Sequence, residues 1–310
     1  MICLTRPAVL PKKKIKKTYY TRRNTAFDYF NIVLQALLAL TILIPFLHLL
    51  VISVSSPSYA TRSGLHLWPD TLDFSTYKRV LSSRYIWTGY RATLIRTVLG
   101  TVIQLFMTSM GAYVLSKRYF PHRTFWTMCI VFTMYFSGGL IPSYLLMGNL
   151  HLMNTYASMI LPGLVGTYTM SLIRNYFQSI PQDLEDACMI DGAGQFTTFY
   201  KIIIPVSTPI LATVALWLAV GHWNSWFDVL LYMRNEERMT LQIILRRIVL
   251  EGTQQLLDMS SNSTLDDTQV VSSDGLKAAT IYVATLPILL VYPFVQKYFV
   301  KGIMVGSLKG

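Results

Sequence analysis

The chain has 310 residues, of which 53% are hydrophobic and only 14% charged, and it carries a formal net charge of +12. Its mean hydropathy is +0.42. Soluble domains carry about a quarter charged residues, so this is a membrane composition. The excess of Lys and Arg is no nucleic-acid footprint, because no soluble reading surface accompanies it.

Residues 1–28 read as a basic N-terminal segment, with a charge run over Lys12–Lys17 that suits anionic membrane lipid. The apolar run that follows greatly exceeds the 7–15 residues of a signal-peptide core. It therefore reads as an uncleaved first span, although Ser58-Tyr59-Ala60 imitates a cleavage site. Apolar runs near the ~20 residues that cross a bilayer fall at Phe30–Val54, Thr97–Leu115, Phe125–Leu146, Tyr156–Ile173, Val206–Leu230 and Ala278–Val295. Arg91 and Arg96 push the start of the second run back to Thr97, with Arg96 expected to snorkel outward or face an aqueous cavity. Phe136–Thr155 contains glycines and Pro142 that can break a helix inside the membrane.

Lys and Arg set the orientation. With the N-terminus inside, Lys117, Arg118, Arg123, Arg174 and Lys201 face the cytoplasm, while outer segments balance their bases with acids such as Asp70, Asp73, Glu236 and Glu237. An even number of spans puts the C-terminus inside too. The fifth run ends in GHWNSWFD, where His222, Trp223, Asn224, Trp226 and Asp228 offer the aromatic faces and polar groups that hold sugars, or an aromatic interface belt. Together with Arg96 they are the candidates for a substrate path. Residues 232–277 read as a long outer loop, polar from Glu251 to Gly275, with an Asn262-Ser263-Thr264 sequon expected to be a chance match. Cys3, Cys129 and Cys188 suggest no disulfide framework.

The loop from Ile180 to Pro205 is the most informative stretch. Pro181 suits a first helical turn, and Asp183, Glu185 and Asp186 oppose the positive end of a helix dipole. Leu184, Ala187, Cys188 and Ile190 give a short apolar stripe. Gly192 and Gly194 permit a sharp break, and Gln195–Ile203 reads as a second short helix that Pro205 ends, with Phe196 and Phe199 forming a packed face. This stretch resembles the EAA loop of ABC-importer permeases, whose pattern is Glu-Ala-Ala, three residues, Gly, nine residues and Ile-x-Leu-Pro. Asp186-Ala187-Cys188, Gly192, Ile202 and Ile204-Pro205 stand at those spacings, with departures at Asp186, Cys188 and Ile204. Ala112–Pro121 and the C-terminal Gly302, Gly306, Lys309 and Gly310 resemble carbohydrate-importer permeases as well, nearest the oligosaccharide-uptake subgroup.

The resemblance implies an all-α polytopic membrane protein of six transmembrane helices with a cytoplasmic two-helix coupling loop. The permease domain would cover 29–300, with the coupling loop at 180–205, and 301–310 would form a cytoplasmic tail. It implies a bacterial cytoplasmic membrane location and an ATP-driven importer of oligosaccharides. Glu185, Asp186, Ala187, Gly192, Ile202 and Pro205 would couple it to the ATPase. The partners implied are two ATPase subunits, a second homologous permease and an extracellular solute-binding protein. ATP and Mg would sit on the ATPase subunits: this chain has no G-x-x-x-x-G-K-[ST] phosphate loop. The five histidines are scattered, so no metal site and no catalytic site are expected. Arg91, Arg96, Arg246 and Arg247 near the outer side suit an acidic, uronate-containing cargo. A self-sufficient secondary transporter or channel is the alternative; it would need ionisable groups inside spans.

Overall fold

The computed structural model describes residues 25–250 and 272–307, with side chains described up to Pro293. Among these residues there are helices and no strands. Residues up to Leu47 form one unit and those from His48 a second. The first unit holds most of helix α1 (Ala26–Val54), whose flanks are bare Leu, Ile, Val and Phe. At about 1.5 Å per residue it is long enough to cross a bilayer. The expected sequon, Cys3 and the Lys12–Lys17 run lie outside the described residues.

The second unit is built along one helix. After the short α2 (Ser75–Ser82), α3 runs without a break from Arg84 to Ser116. The expected start at Thr97 is thus corrected by thirteen residues. Arg96 does not interrupt the helix because a carboxylate from elsewhere neutralises it. Ile86, Gly89, Thr93, Arg96 and Gly100 are buried at alternating spacings of three and four, which is one face of a helix.

The next three expected spans are bent rather than straight. Arg123–Tyr135 (α4) meets Leu140–Asn149 (α5) at 110°, with Gly139 at φ +88° in the elbow. Tyr156–Gly163 (α6) meets Thr167–Gln178 (α7) at 54°. After α8 (Asp183–Ile190), α9 (Gln195–Val206) meets α10 (Thr208–Asn224) at 83°. Counting each bent pair as one span, the described helices supply up to six crossings, of which α1, α3 and the last helix are straight. The expected fifth run to Leu230 stops at Asn224, and Phe227–Tyr232 forms a separate helix, α11.

The expected long outer loop is corrected in its first part. Leu241–Leu250 is helix α12, with Leu241, Ile243, Ile244 and Ile248 buried. It lies so close to α3 that a Cβ on Gly89 would stand 2.6 Å from Ile244 Cδ1. The Leu241 N–H is received by Thr93 Oγ1 at 2.8 Å. The last helix, α13 (Ser273–Ser307), completes this end with Leu276, Ala279, Val283 and Ala284.

Two larger apolar cores result, one at each end of α3, besides a small cluster of Ile52, Ala60 and Ala278. The first gathers Ile86, Trp223, Val229 and the α12 and α13 residues; the second gathers Tyr113, Leu115, Ile173, Phe177, Phe199, Ile203 and Val214. Between them α3 presents Arg96, Gly100 and Gln104.

Candidate functional site

The loop Ile180–Pro205 folds into two short helices with an elbow, as its glycines require. Gly192 has φ +79°. Its N–H donates to Met189 O at 3.0 Å, and Ala193 N–H donates to Cys188 O at 2.9 Å. This is the paired bond pattern that ends a helix on a left-handed residue, a conformation in which a Cβ is disfavoured. Pro205 does not end α9. A π turn over Phe199–Ile203 carries the chain past it, with Ile204 N–H donating to Phe199 O five residues back. The break comes two residues later, at Ser207.

The two phenylalanines of α9 part company. Phe199 is buried against Tyr113, ring centroids 5.0 Å apart, whereas Phe196 is 68% exposed, so the packed Phe196/Phe199 face is corrected. Leu184, Met189 and Ile190 are exposed as well, and Ile190 is 86% so. The tip is an apolar knob. Ala187 and Asp186 are exposed on it, Ile202 is half-buried, and Pro205 is exposed.

Glu185 is different from its neighbour. It forms an ion pair with Lys117, the residue that caps the C-terminus of α3, and the two side chains are only 13% and 9% exposed. The Lys117 ammonium also lies 4.0 Å from the centre of the Tyr113 ring. Tyr113 in turn donates its hydroxyl to Gln195 Oε1 at 3.1 Å, so α8 and α9 are both fastened to the end of α3. Burial pushes the Tyr119 phenol above its ordinary value, and the nearby Glu185 charge adds to the shift. Arg174 secures the same corner by donating to Leu115 O at 3.1 Å.

About 30 Å back along α3, a cavity of about 580 Å³ opens between the two apolar cores. Arg96 reaches it from α3 and Asp228 from the start of α11; Arg96 Nη1 donates to Asp228 Oδ1 at 3.1 Å, and Nη2 donates to Oδ2. An Arg placed alone at the bilayer centre costs about 2.5–3.5 kcal/mol on insertion scales. The carboxylate offsets that. Beside the pair, His222 Nε2 shares a hydrogen bond with Gln104 Oε1 at 3.0 Å, and Gln104 Nε2 donates to Gly163 O at 2.5 Å. Gly100 makes room for this ring; a Cβ there would sit 2.6 Å from His222 Nε2.

Of the residues singled out for a substrate path, Arg96, His222 and Asp228 line the cavity, and Trp223, Asn224 and Trp226 do not. Trp223 belongs to the apolar core, Asn224 is exposed, and Trp226 carries the Arg246 guanidinium 3.7 Å from its ring centre. The tryptophan on the cavity wall is Trp217. Trp217 and Gly221 stand four residues apart on one face of α10, and Ser225 follows at its C-cap, whereas Trp223 turns into the apolar core. The same logic on α3 leads from Arg96 through Gly100 to Gln104. No group of His, Cys, Asp and Glu fit for a metal ion occurs among the described residues.

Residues 86–305 match the family model described as "Binding-protein-dependent transport system inner membrane component". The chain is 36% identical to Protein LplC of Bacillus subtilis (strain 168) over 96% of its own length and 99% of that protein. It is 34% identical to the "Polygalacturonan/rhamnogalacturonan transport system permease protein YtcP" of the same organism, over 93% of this chain and 100% of that one. Among solved structures, a chain of a bacterial ABC transporter involved in the import of the acidic polysaccharide alginate superposes with a TM-score of 0.81 at 33% identity, covering 91% of this chain and 99% of that one. The match begins within α3 and runs through the knob, the cavity and α13, so the chain belongs to the family of binding-protein-dependent transport system inner membrane components.

Proposed function

We propose that this chain is the permease subunit of an ATP-driven importer of oligosaccharides and that its cargo carries uronate carboxylates. The observation that carries the reading is that α3 joins the two parts such a subunit needs. One end holds an apolar knob through Lys117 and Glu185, and the middle lines a charged cavity through Arg96. ATP and Mg belong to two separate ATPase subunits, each with a groove for one knob. Asp186 is the carboxylate offered to that groove, because Glu185 is committed to Lys117. Ala187 and Gly192 shape the tip, and Ile202 and Pro205 set the direction of its second helix. A second homologous permease and an extracellular binding protein complete the complex in the cytoplasmic membrane, with both termini of this chain inside.

Movement of the knob would swing α3 and its partners, opening the cavity to the outside when ATP draws the ATPase subunits together. The acidic cargo is supported by Arg96 and by relatives named for polygalacturonan/rhamnogalacturonan transport and alginate import. The test is ATP hydrolysis and uptake by the assembled complex in proteoliposomes. Binding protein loaded with trigalacturonate should stimulate both, and its methyl ester should do so less. Equal preference removes the acidic cargo; no stimulation by any oligosaccharide removes the importer. One observation favours a second reading, a transporter working alone: the ion pair Arg96–Asp228 inside the bundle is the kind of group ion coupling uses. Gradient-driven uptake by the isolated chain in liposomes would establish it.

A further inference from the structure

We infer that Asp228 holds, in this conformation, the place on Arg96 that a carboxylate of the cargo takes, so that an acidic sugar is recognised by exchange of one carboxylate for another. This rests on the importer reading above and adds the specific contact and the residue that guards it. The Arg96 side chain is 3% exposed and Asp228 25%, so the acid stands between the guanidinium and the open cavity. An incoming group meets Asp228 first.

The pair is built to separate. Asp228 Oδ1 also accepts from Ser225 Oγ at 2.8 Å and from Val229 N–H at 3.0 Å. These two donors hold the carboxylate in place without help from Arg96. Arg96 keeps a contact to Ser225 O at 3.5 Å, while its Nε is buried with no hydrogen-bond partner. A guanidinium presents five donors in a planar fork, so one that leaves Nε unused can receive a second carboxylate along its other edge. Because Nε is buried and Asp228 covers the guanidinium, that carboxylate engages as Asp228 moves aside.

The surroundings suit a sugar that carries one. The cavity, about 580 Å³, is within the size range of ligand pockets. Ser143 and the Gln104–His222 pair supply hydroxyl and amide partners, and Trp217 lies on the wall for a ring face. A neutral oligosaccharide brings no anion and leaves Arg96 closed upon Asp228. Discrimination then comes from a desolvated charge that only an acid can satisfy.

The experiment uses the full complex in proteoliposomes with trigalacturonate and its methyl ester as probes. Arg96→Gln should lower the ratio of trigalacturonate to ester uptake by about tenfold or more, the scale expected for losing a charge-assisted pair. Asp228→Asn keeps an oxygen for Ser225 and Val229 but leaves Arg96 without its counter-charge, so uptake of both probes should fall while the preference for trigalacturonate over its ester is kept. The exchanged variant, Arg96→Asp with Asp228→Arg, should not recover the ratio that Arg96→Gln loses. If both single variants lose uptake of both probes equally and the exchange restores it, the pair is a structural tie and the inference falls. If the unaltered complex prefers the ester, the acidic-cargo reading itself has failed. A preference of the unaltered complex for trigalacturonate that Arg96→Gln leaves unchanged overturns only the exchange.

Discussion

Arg96 and Lys117 are the cations buried among the described residues, and each is met by a carboxylate far away in sequence, Asp228 or Glu185. Removing one partner of such a pair costs more than the pair contributes, because the charge left behind is desolvated. Two glycines give sharper tests of local geometry. Gly192 sits at φ +79° with open space around it, so a side chain there meets backbone strain rather than a clash. Gly192→Val should cost about 1–3 kcal/mol locally and displace the knob, abolishing uptake while the protein still inserts in the membrane. Normal uptake would show that the elbow is not needed. Gly100 is the reverse case, a tight site with an ordinary backbone. Its added Cβ would stand 2.6 to 2.9 Å from three atoms of the His222 ring. Gly100→Ala should therefore push His222 off Gln104, with an overpacking cost of about 1–3 kcal/mol, seen as a lower thermal midpoint of the purified protein. A midpoint equal to that of the parent would contradict the close approach of α10 to α3.

At the scale of elements, the proposed coupling would make α3 the lever and the Lys117–Glu185 pair the joint between it and α8. Lys117→Gln leaves Glu185 half-buried without its partner, which should loosen α8 from α3. The expected result is uptake per ATP hydrolysed reduced by about tenfold, with hydrolysis itself largely kept; losing one buried pair is worth at least that factor. Lys117→Glu together with Glu185→Lys should recover more than half of the coupling, and failure to do so would show that the contact does not transmit. The elbow at Gly192 was readable in sequence because its cause is local, a backbone conformation that favours glycine. Pro205 misled because the widened π turn directly before it, Phe199–Ile203, places the proline in the first turn of the next helical segment, where no N–H is needed. Helix α12 carries the right spacing in Leu241, Ile244 and Ile248, but Arg246 and Arg247 lower its hydropathy enough to pass for loop. The pairing of Arg96 with Asp228, 132 residues apart, has no local signature at all. Only the fold brings them to one cavity.

On the scale of the whole molecule, topology and assembly decide whether the knob and the cavity serve one machine. If the basic segments lie inside, reporters fused at Asn154 and Ser261 should appear outside and one at Gln195 inside; an outward Gln195 would remove the ATPase contact altogether. Assembly follows from arithmetic on knobs. On the importer reading proposed above, two ATPase subunits would offer two grooves and each chain one knob, so a second permease would supply the other. A copy of this chain could do so only by presenting Asp228 and Arg96 twice across the shared path. The family resemblance instead favours a different, homologous chain. The exposed Phe and Met flank of α4 and the exposed Leu and Ile flank of α5 are apolar enough for lipid or for such a partner. Two distinguishable tags placed on separate copies of this chain, expressed with the second permease and the ATPase subunits absent and then present, settle the composition. With the second permease present, purification on the first tag should recover the ATPase subunits and none of the second tag. Recovery of both tags in one ATPase-containing complex would mean that two copies of this chain line the path, and the heteromeric assembly would have to be abandoned.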